Sequence, residues 1–279
     1  MVEDNIMSSK EICEKIEDEV KQFAKTCIIR PSIAVINVGN NPSNERFCTA
    51  LENACNKSGI YFRYHYYEDG TPELTIINKI KELDNDDYVN GITVCLPLPE
   101  KYNEKRIVNT IINSKDIDGL TDINIGRLIS GRKSIMPCAV QGIMELIKNY
   151  FIELTGKEIV IVGNSRLIGR PLINVLLSEG ATVTICNSNT VDLKKHTLSA
   201  DMIISCTGVK NLITEDMVKE ESIVIDCGYI VCDDGIYGDV DFENVSKKAH
   251  LITPINDAVA NLTIAMFLKN IVFCYKNKK

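Results

Sequence analysis

Histidine is what this chain has least of among metal-binding residue types. Its 279 residues hold three, His65, His196 and His250, far apart, and its 11 cysteines are scattered with no Cys-x-x-Cys pair. The ligand spacings typical of zinc are therefore missing, and no metal is expected. An odd count of cysteines spread over the whole length also argues against a disulfide scaffold and for small buried thiols in a reducing compartment. Positive charge is short as well: 31 Lys and Arg against 38 Asp and Glu leave a formal charge of -7. No global field draws nucleic acid or an anionic membrane. The start, MVEDNIMSSKEICEK, lacks an apolar core of signal-peptide length, and no later apolar run reaches the ~18 residues of a membrane helix. A cytoplasmic globular protein without nucleic-acid or membrane partners is the expectation, in keeping with 45% apolar and 25% charged residues.

What is present is an alternation of short apolar runs and amphipathic stretches. Ile12, Ile16, Val20 and Phe23 recur at helical spacing and lead into the strand-like run Ser32–Val38. The spacing then predicts a helix over 43–58, a strand at 60–66, a helix over 72–84 and a strand at 91–95. Leu96-Pro-Leu-Pro99 interrupts the rhythm because proline offers no ladder donor. A helix over 102–112, the polar turn Ser114–Gly119 and a helix over 141–153 follow. The alternation then restarts, with strands at 156–162, 181–185, 202–205 and 222–226, a helix over 170–178 and a terminal helix over 262–273. Apolar strands between amphipathic helices predict an α/β fold with parallel sheets covered on both faces.

The turn Gly163-Asn-Ser-Arg-Leu-Ile-Gly169-Arg-Pro171 joins an apolar strand to a helix. At such a turn small residues let the backbone approach a ligand, and the positive end of the helix favours phosphate. The spacing departs from Gly-x-Gly-x-x-Gly: Ser165 takes the middle glycine's place and Gly169 falls one residue late. A tight turn that binds nothing is the alternative. The next strand ends in Cys186-Asn-Ser-Asn-Thr190, without the acid that holds an adenosine ribose about 20 residues after the turn. Arg166, Ser188 or Lys194 could face a 2′-phosphate instead, or stand solvated.

Gly163-x-Ser165-x-x-x-Gly169-x-Pro171, with Leu96-Pro-Leu-Pro99, Lys115-Asp-Ile-Asp-Gly119, Pro137-Cys138, Ala181-Thr-Val-Thr184 and Gly238-Asp-Val-Asp241, resembles the methylenetetrahydrofolate dehydrogenase/cyclohydrolase family. The resemblance implies an N-terminal α/β substrate domain, 1–140 with 256–279, and a C-terminal Rossmann-type domain, 141–255, with a cleft between them. It implies NADP, or NAD, as cofactor, a folate-type substrate and a homodimer formed through the Rossmann domains. Hydride would pass from methylenetetrahydrofolate to the nicotinamide, and water would then open the methenyl product. On the cofactor side it assigns Gly163, Asn164, Ser165, Gly169, Ser188, Gly208 and Tyr229; on the substrate side Phe47, Leu51, Cys95, Pro97 and Asp118. Asp118 is the candidate catalytic group, a carboxylate that would hold the pterin's amino edge, or else a turn-capping acid.

Several of these positions depart from the family pattern. Phe47 and Leu51 stand where the family has a tyrosine and, four residues later, a lysine on the same helical face. Cys95 replaces the glutamine before Leu-Pro-Leu-Pro, and Asn44 replaces a serine. The loop Thr253-Pro-Ile-Asn-Asp-Ala-Val-Ala-Asn-Leu-Thr263 lacks the family's glycines and two of its prolines, and Asp257 within it is either a new polar contact or a solvated acid. Asn164 replaces an arginine, which weakens selection for NADP over NAD. Asn187 replaces a histidine, and Tyr229 a smaller aliphatic residue near the nicotinamide. Three readings stay open: a dehydrogenase without the hydrolytic step, a non-catalytic nucleotide-binding homologue, and an oxidoreductase on a different small substrate.

Overall fold

The computed structural model describes residues 5–232, 235–255 and 258–278; Asp257 lies outside them. The chain forms two compact units, Cys13–Cys138 with Ile264–Lys279 and Met1–Ile12 with Ala139–Thr263. The first strip of chain goes with the second α/β unit because residues 5–7 pair there: Met7 N–H donates to Ile252 O at 2.8 Å and Ile252 N–H to Asn5 O at 2.9 Å.

The first unit takes up α1 (Lys10–Thr26), β1 (Ser32–Val38), α2 (Pro42–Lys57), β2 (Tyr61–Tyr67), α3 (Glu73–Asn85), β3 (Gly91–Val94), α4 (Glu104–Val108) and α5 (Asp122–Ile129). Its three strands are parallel in the order β2-β1-β3, with β1 buried along its whole length. That burial is why SIAVINV is apolar at five of its seven positions and does not alternate, Ser32 and Asn37 being buried as well. One core forms between this sheet and Ile76, Ile77, Ile80 and Leu83 of α3. α2 starts where Asn41 Oδ1 accepts the N–H groups of Ser43 and Asn44, with Pro42 in the first turn, where no N–H is needed. Its buried face, Asn44, Cys48, Leu51 and Cys55, follows the i, i+3/i+4 rule. The helix predicted over 102–112 is only α4. Past Val108 the N–H groups of Thr110 and Ile111 bond three residues back, to Ile107 O and Val108 O, and the Ile112 N–H leaves for the Asp84 carboxylate at 3.2 Å.

The second unit contains α6 (Cys138–Asn149), β4 (Glu158–Val162), α7 (Gly169–Ser178), β5 (Thr182–Cys186), α8 (Leu193–Thr197), β6 (Met202–Ser205), β7 (Ile223–Asp226), the hairpin β8 (Ile230–Cys232) and β9 (Gly235–Tyr237), α9 (Phe242–Val245) and β10 (Leu251–Ile252). The parallel sheet runs β10-β7-β6-β4-β5. Numbered within this unit the order is 2-1-3-4-5, so the winding reverses between β4 and β6. In such sheets ligands bind at that reversal, outside the carboxyl ends of the strands.

α10 (Val259–Lys276) passes from the one stretch of chain to the other, the division falling within it. At 18 residues with a mean hydropathy of 1.2, it is long and apolar enough to cross a membrane, contrary to the expectation from sequence. Half of it is buried in the fold, through Leu262, Met266, Phe267, Leu268 and Ile271 among others.

Candidate functional site

On the cofactor side the assigned residues gather at the carboxyl ends of β4 to β7. Gly163 follows β4 directly with φ +113°, and a Cβ there would stand 2.6 Å from Cys206 O, on the segment after β6. Only glycine lets the two segments flanking the winding reversal approach so closely. A Cβ on Gly169 would lie 2.0 Å from Gly163 O, so the start of α7 folds back on the end of β4. Ser165 closes this turn: its Oγ accepts the N–H groups of Ile168 at 3.2 Å and Gly169 at 3.4 Å. The serine that stands in for a glycine thus holds the turn that leads into α7. Asn164 is exposed, with its carbonyl held by Arg170 Nε at 2.9 Å. Ser188 is exposed two residues beyond β5, in a turn closed by Asn187 N–H to Thr190 Oγ1 at 2.8 Å. Tyr229 is exposed three residues beyond β7.

Gly208 sits in a loop whose shape comes from a residue that sequence reasoning passed over. The buried Asp239 carboxylate accepts Ser205 Oγ at 2.8 Å and the backbone N–H groups of Thr207 at 2.6 Å, Gly208 at 2.9 Å and Val209 at 3.1 Å. A second acid, Asp226, holds the return strand through the N–H groups of Gly228, Asp239 and Val240. Burial pushes Asp226 up to about 6 in spite of these three donors. Gly-Asp-Val-Asp was visible as a motif; what it binds is backbone some 30 residues earlier, a pairing no local pattern reveals.

The described residues fit a dinucleotide. The winding reversal is lined by close backbone approaches, Gly208 at φ +70° has open space where a Cβ would point, and 186–190 carries no carboxylate to repel a 2′-phosphate. Among the described residues no group of three or more His, Cys, Asp or Glu could hold a metal.

On the substrate side the two acids of Lys115-Asp-Ile-Asp-Gly119 have separate tasks. Asp116, buried, accepts the N–H groups of Leu120 and Thr121, Thr121 Oγ1 at 2.7 Å and Asn124 Nδ2 at 2.8 Å, and so builds the turn that starts α5. Asp118 accepts the Cys138 N–H at 3.4 Å. Part of its side chain reaches the surface, yet desolvation first and the Asp116 charge second push it up to about 8. The turn-building role therefore belongs to Asp116, and Asp118 stands outside that turn with its carboxyl held well above the ordinary carboxylate range.

From sequence, Leu51 and Cys95 line the substrate side together with Phe47 and Pro97. The structure buries Leu51 completely, on the inner face of α2, and Cys95 to 3%, directly after β3 and against Cys48 of that helix; it leaves Phe47 half-buried and Pro97 exposed. Phe47 sets its ring edge to face against Phe267 of α10, centroids 5.3 Å apart. Asn44 donates Nδ2 to Pro97 O at 3.3 Å, across the segment that begins with the cis Leu96–Pro97 bond.

Residues 6–118 match the family model for the tetrahydrofolate dehydrogenase/cyclohydrolase catalytic domain, and residues 137–279 that for its NAD(P)-binding domain. The chain belongs to the tetrahydrofolate dehydrogenase/cyclohydrolase family. It is 42% identical over 276 residues to the bifunctional protein FolD of Nautilia profundicola, covering 98% of this chain and 97% of that one. Among solved structures it is similar to the bifunctional FolD of Campylobacter jejuni, with TM-score 0.94, 42% identity and 98% and 99% of the two chains covered. It is also similar to the FolD of Trypanosoma brucei complexed with NADP and an inhibitor, with TM-score 0.93, 25% identity and 97% of each chain covered. The family's two-domain α/β architecture, with its NAD(P)-binding domain, is the fold described above.

Proposed function

We propose that this chain oxidises 5,10-methylenetetrahydrofolate to 5,10-methenyltetrahydrofolate with NADP or NAD, and that the following cyclohydrolase step is lost or strongly reduced. The relatives above are named bifunctional, so the dehydrogenase half rests on membership of the family, and the loss on this chain's own side chains. The observation that carries it is the face of α2: Leu51 is fully buried and Phe47 packs on Phe267, where the family resemblance calls for a lysine and a tyrosine. Neither side chain can accept or release a proton.

The two steps differ in what they ask of the protein. A bound nicotinamide supplies the hydride acceptor, and the protein's task in that step is to position the reactants, which needs no proton-carrying side chain at the reacting carbon. The Gly163, Gly169 and Gly208 segments would hold the cofactor's phosphates and nicotinamide end, with Asn164, Ser165, Ser188 and Tyr229 beside them. Asp118 would orient the pterin: once a donor-rich amino edge replaces water, its carboxyl is drawn back to the ionised form. Opening the methenyl bridge needs a general acid–base group, whose absence costs roughly 10²- to 10⁴-fold.

The reading includes a cytoplasmic homodimer built through the NAD(P)-binding domains. Its test is turnover of purified protein with methylenetetrahydrofolate and either cofactor. Methenyl absorbance should rise and then decay no faster than in buffer. Rapid enzymic decay would overturn the lost cyclohydrolase; no absorbance with either cofactor would overturn the dehydrogenase.

A further inference from the structure

Cys48 of α2 and Cys95, directly after β3, bring their sulfurs to 3.3 Å, inside van der Waals contact. We propose that Cys48 and Cys95 are a reversible redox site, in which a hydroperoxide oxidises Cys48 and Cys95 closes a disulfide that staples α2 to the segment after β3. The proposal concerns the thiols alone and stands whether or not the chain turns over a folate.

The two backbones are already held in place for it. The Cys95 N–H donates to Ile36 O of β1 at 2.8 Å, and Asn44, one turn before Cys48, reaches Pro97 O at 3.3 Å. Closing a bond of about 2 Å from the present separation asks for roughly 1 Å of sulfur movement, within the reach of side-chain rotation. The pair is also chemically asymmetric. The contact with Cys95 holds Cys48 below its usual range against the opposing effect of burial, and the Tyr64 hydroxyl adds to this. The same contact, with burial, holds Cys95 above its usual range. Glu45 and Glu52 push Cys48 the other way more weakly. Tyr64 itself accepts from Asn37 Nδ2 at 3.0 Å and lies 44% exposed on the edge strand β2, so the chain of contacts runs from Cys48 to the surface. Cys48, the sulfur whose contact with Tyr64 leads to the surface, is the attacking one and Cys95 the resolving one.

The chemistry closes without a further reactant. Cys48 sulfur attacks one peroxide oxygen, the O–O bond breaks, and the leaving alkoxide or hydroxide takes a proton; Cys48 is now a sulfenic acid. Cys95 gives up its proton and attacks the Cys48 sulfur, the S–O bond breaks, and the departing hydroxide leaves as water. Two thiols lose two electrons and the peroxide gains them. A dithiol reductant reverses the state, which suits a switch in a reducing compartment.

The test uses the full chain, reduced, freed of reductant and exposed to stoichiometric hydrogen peroxide. Free thiols are then blocked and the protein is digested without reductant for mass spectrometry. The expected result is a linked peptide pair carrying Cys48 and Cys95, two hydrogens lighter than the separate thiols and lost on dithiothreitol. In Cys95→Ser, a sulfenic-acid trap should label Cys48; in Cys48→Ser, Cys95 should be recovered as a free thiol. Recovery of both as free thiols while other cysteines oxidise, linkage of Cys48 to a different cysteine, or oxidised Cys95 in Cys48→Ser overturns the proposal. Should either variant misfold, the peptide map of the unaltered chain decides alone.

Discussion

Phe47 and Phe267 meet edge to face with ring centroids 5.3 Å apart and planes at 64°. The contact makes this part of α2 a packing surface against α10. Its neighbour Leu51, one turn on, has no surface at all.

The Phe47→Tyr, Leu51→Lys double variant is expected to gain hydrolysis of methenyltetrahydrofolate by roughly 10²- to 10⁴-fold over the parent. It should also lose stability, by roughly 2–4 kcal/mol, because the ammonium enters a site built for an apolar side chain. Urea melts and the decay of methenyl absorbance measure the two effects. A folded variant with unchanged hydrolysis would show that the deficit extends beyond these two positions.

Asp118 makes stability fall with pH. Its folded-state value near 8 is above that of an unfolded aspartate, so the folded form holds a proton that the unfolded chain releases. The stabilisation is complete below about pH 4 and is lost as pH rises toward 8. Asp118→Asn removes this titration. The variant is expected to melt higher than the parent at pH 8 and about equally at pH 4, while losing affinity for folates at both. Parallel melting curves across that window would count against a raised Asp118 carboxyl.

Asp239→Ala leaves buried Ser205 Oγ and the N–H groups of Thr207, Gly208 and Val209 without their acceptor. A loss of about 3 kcal/mol or more is expected, since each stranded donor carries its own desolvation cost. In protein that remains folded, NAD(P) binding measured by calorimetry should weaken at least about tenfold, a drop of ~1.4 kcal/mol. Unaltered affinity would separate the 206–209 loop from the cofactor.

Two glycines with positive φ should answer differently to alanine. At Gly163 a Cβ would press on Cys206 O at 2.6 Å, so Gly163→Ala is expected to disrupt the end of β4 and abolish cofactor binding. At Gly208 a Cβ meets nothing within 4 Å, so Gly208→Ala should cost only the backbone strain, about 1 kcal/mol, and fold normally. Equal destabilisation of the two in thermal melts would contradict the crowding argument.

Local chemistry explains which elements were legible. The largely apolar β1 and β4, the Asn41–Pro42 start of α2 and the proline run after β3 each carry their signal within a few residues. The short α4 and the antiparallel pair β8 and β9 do not: beyond α4 the Ile112 N–H goes to Asp84, 28 residues earlier, and Ile230 pairs with Tyr237, contacts that no apolar periodicity announces.

Residue identity by itself determined the alternation of strands and helices, the glycine turn after β4, and the absence of a tyrosine at position 47 and a lysine at position 51 of α2, because these follow from periodicity, backbone freedom and side-chain type. Only the tertiary structure decided which acid of a pair builds a turn and which stays available, which loop Asp239 holds, and that Cys48 and Cys95 touch. Those relations join groups distant in sequence. Burial and hydrogen-bond reach exist only once the sheets have brought those groups together.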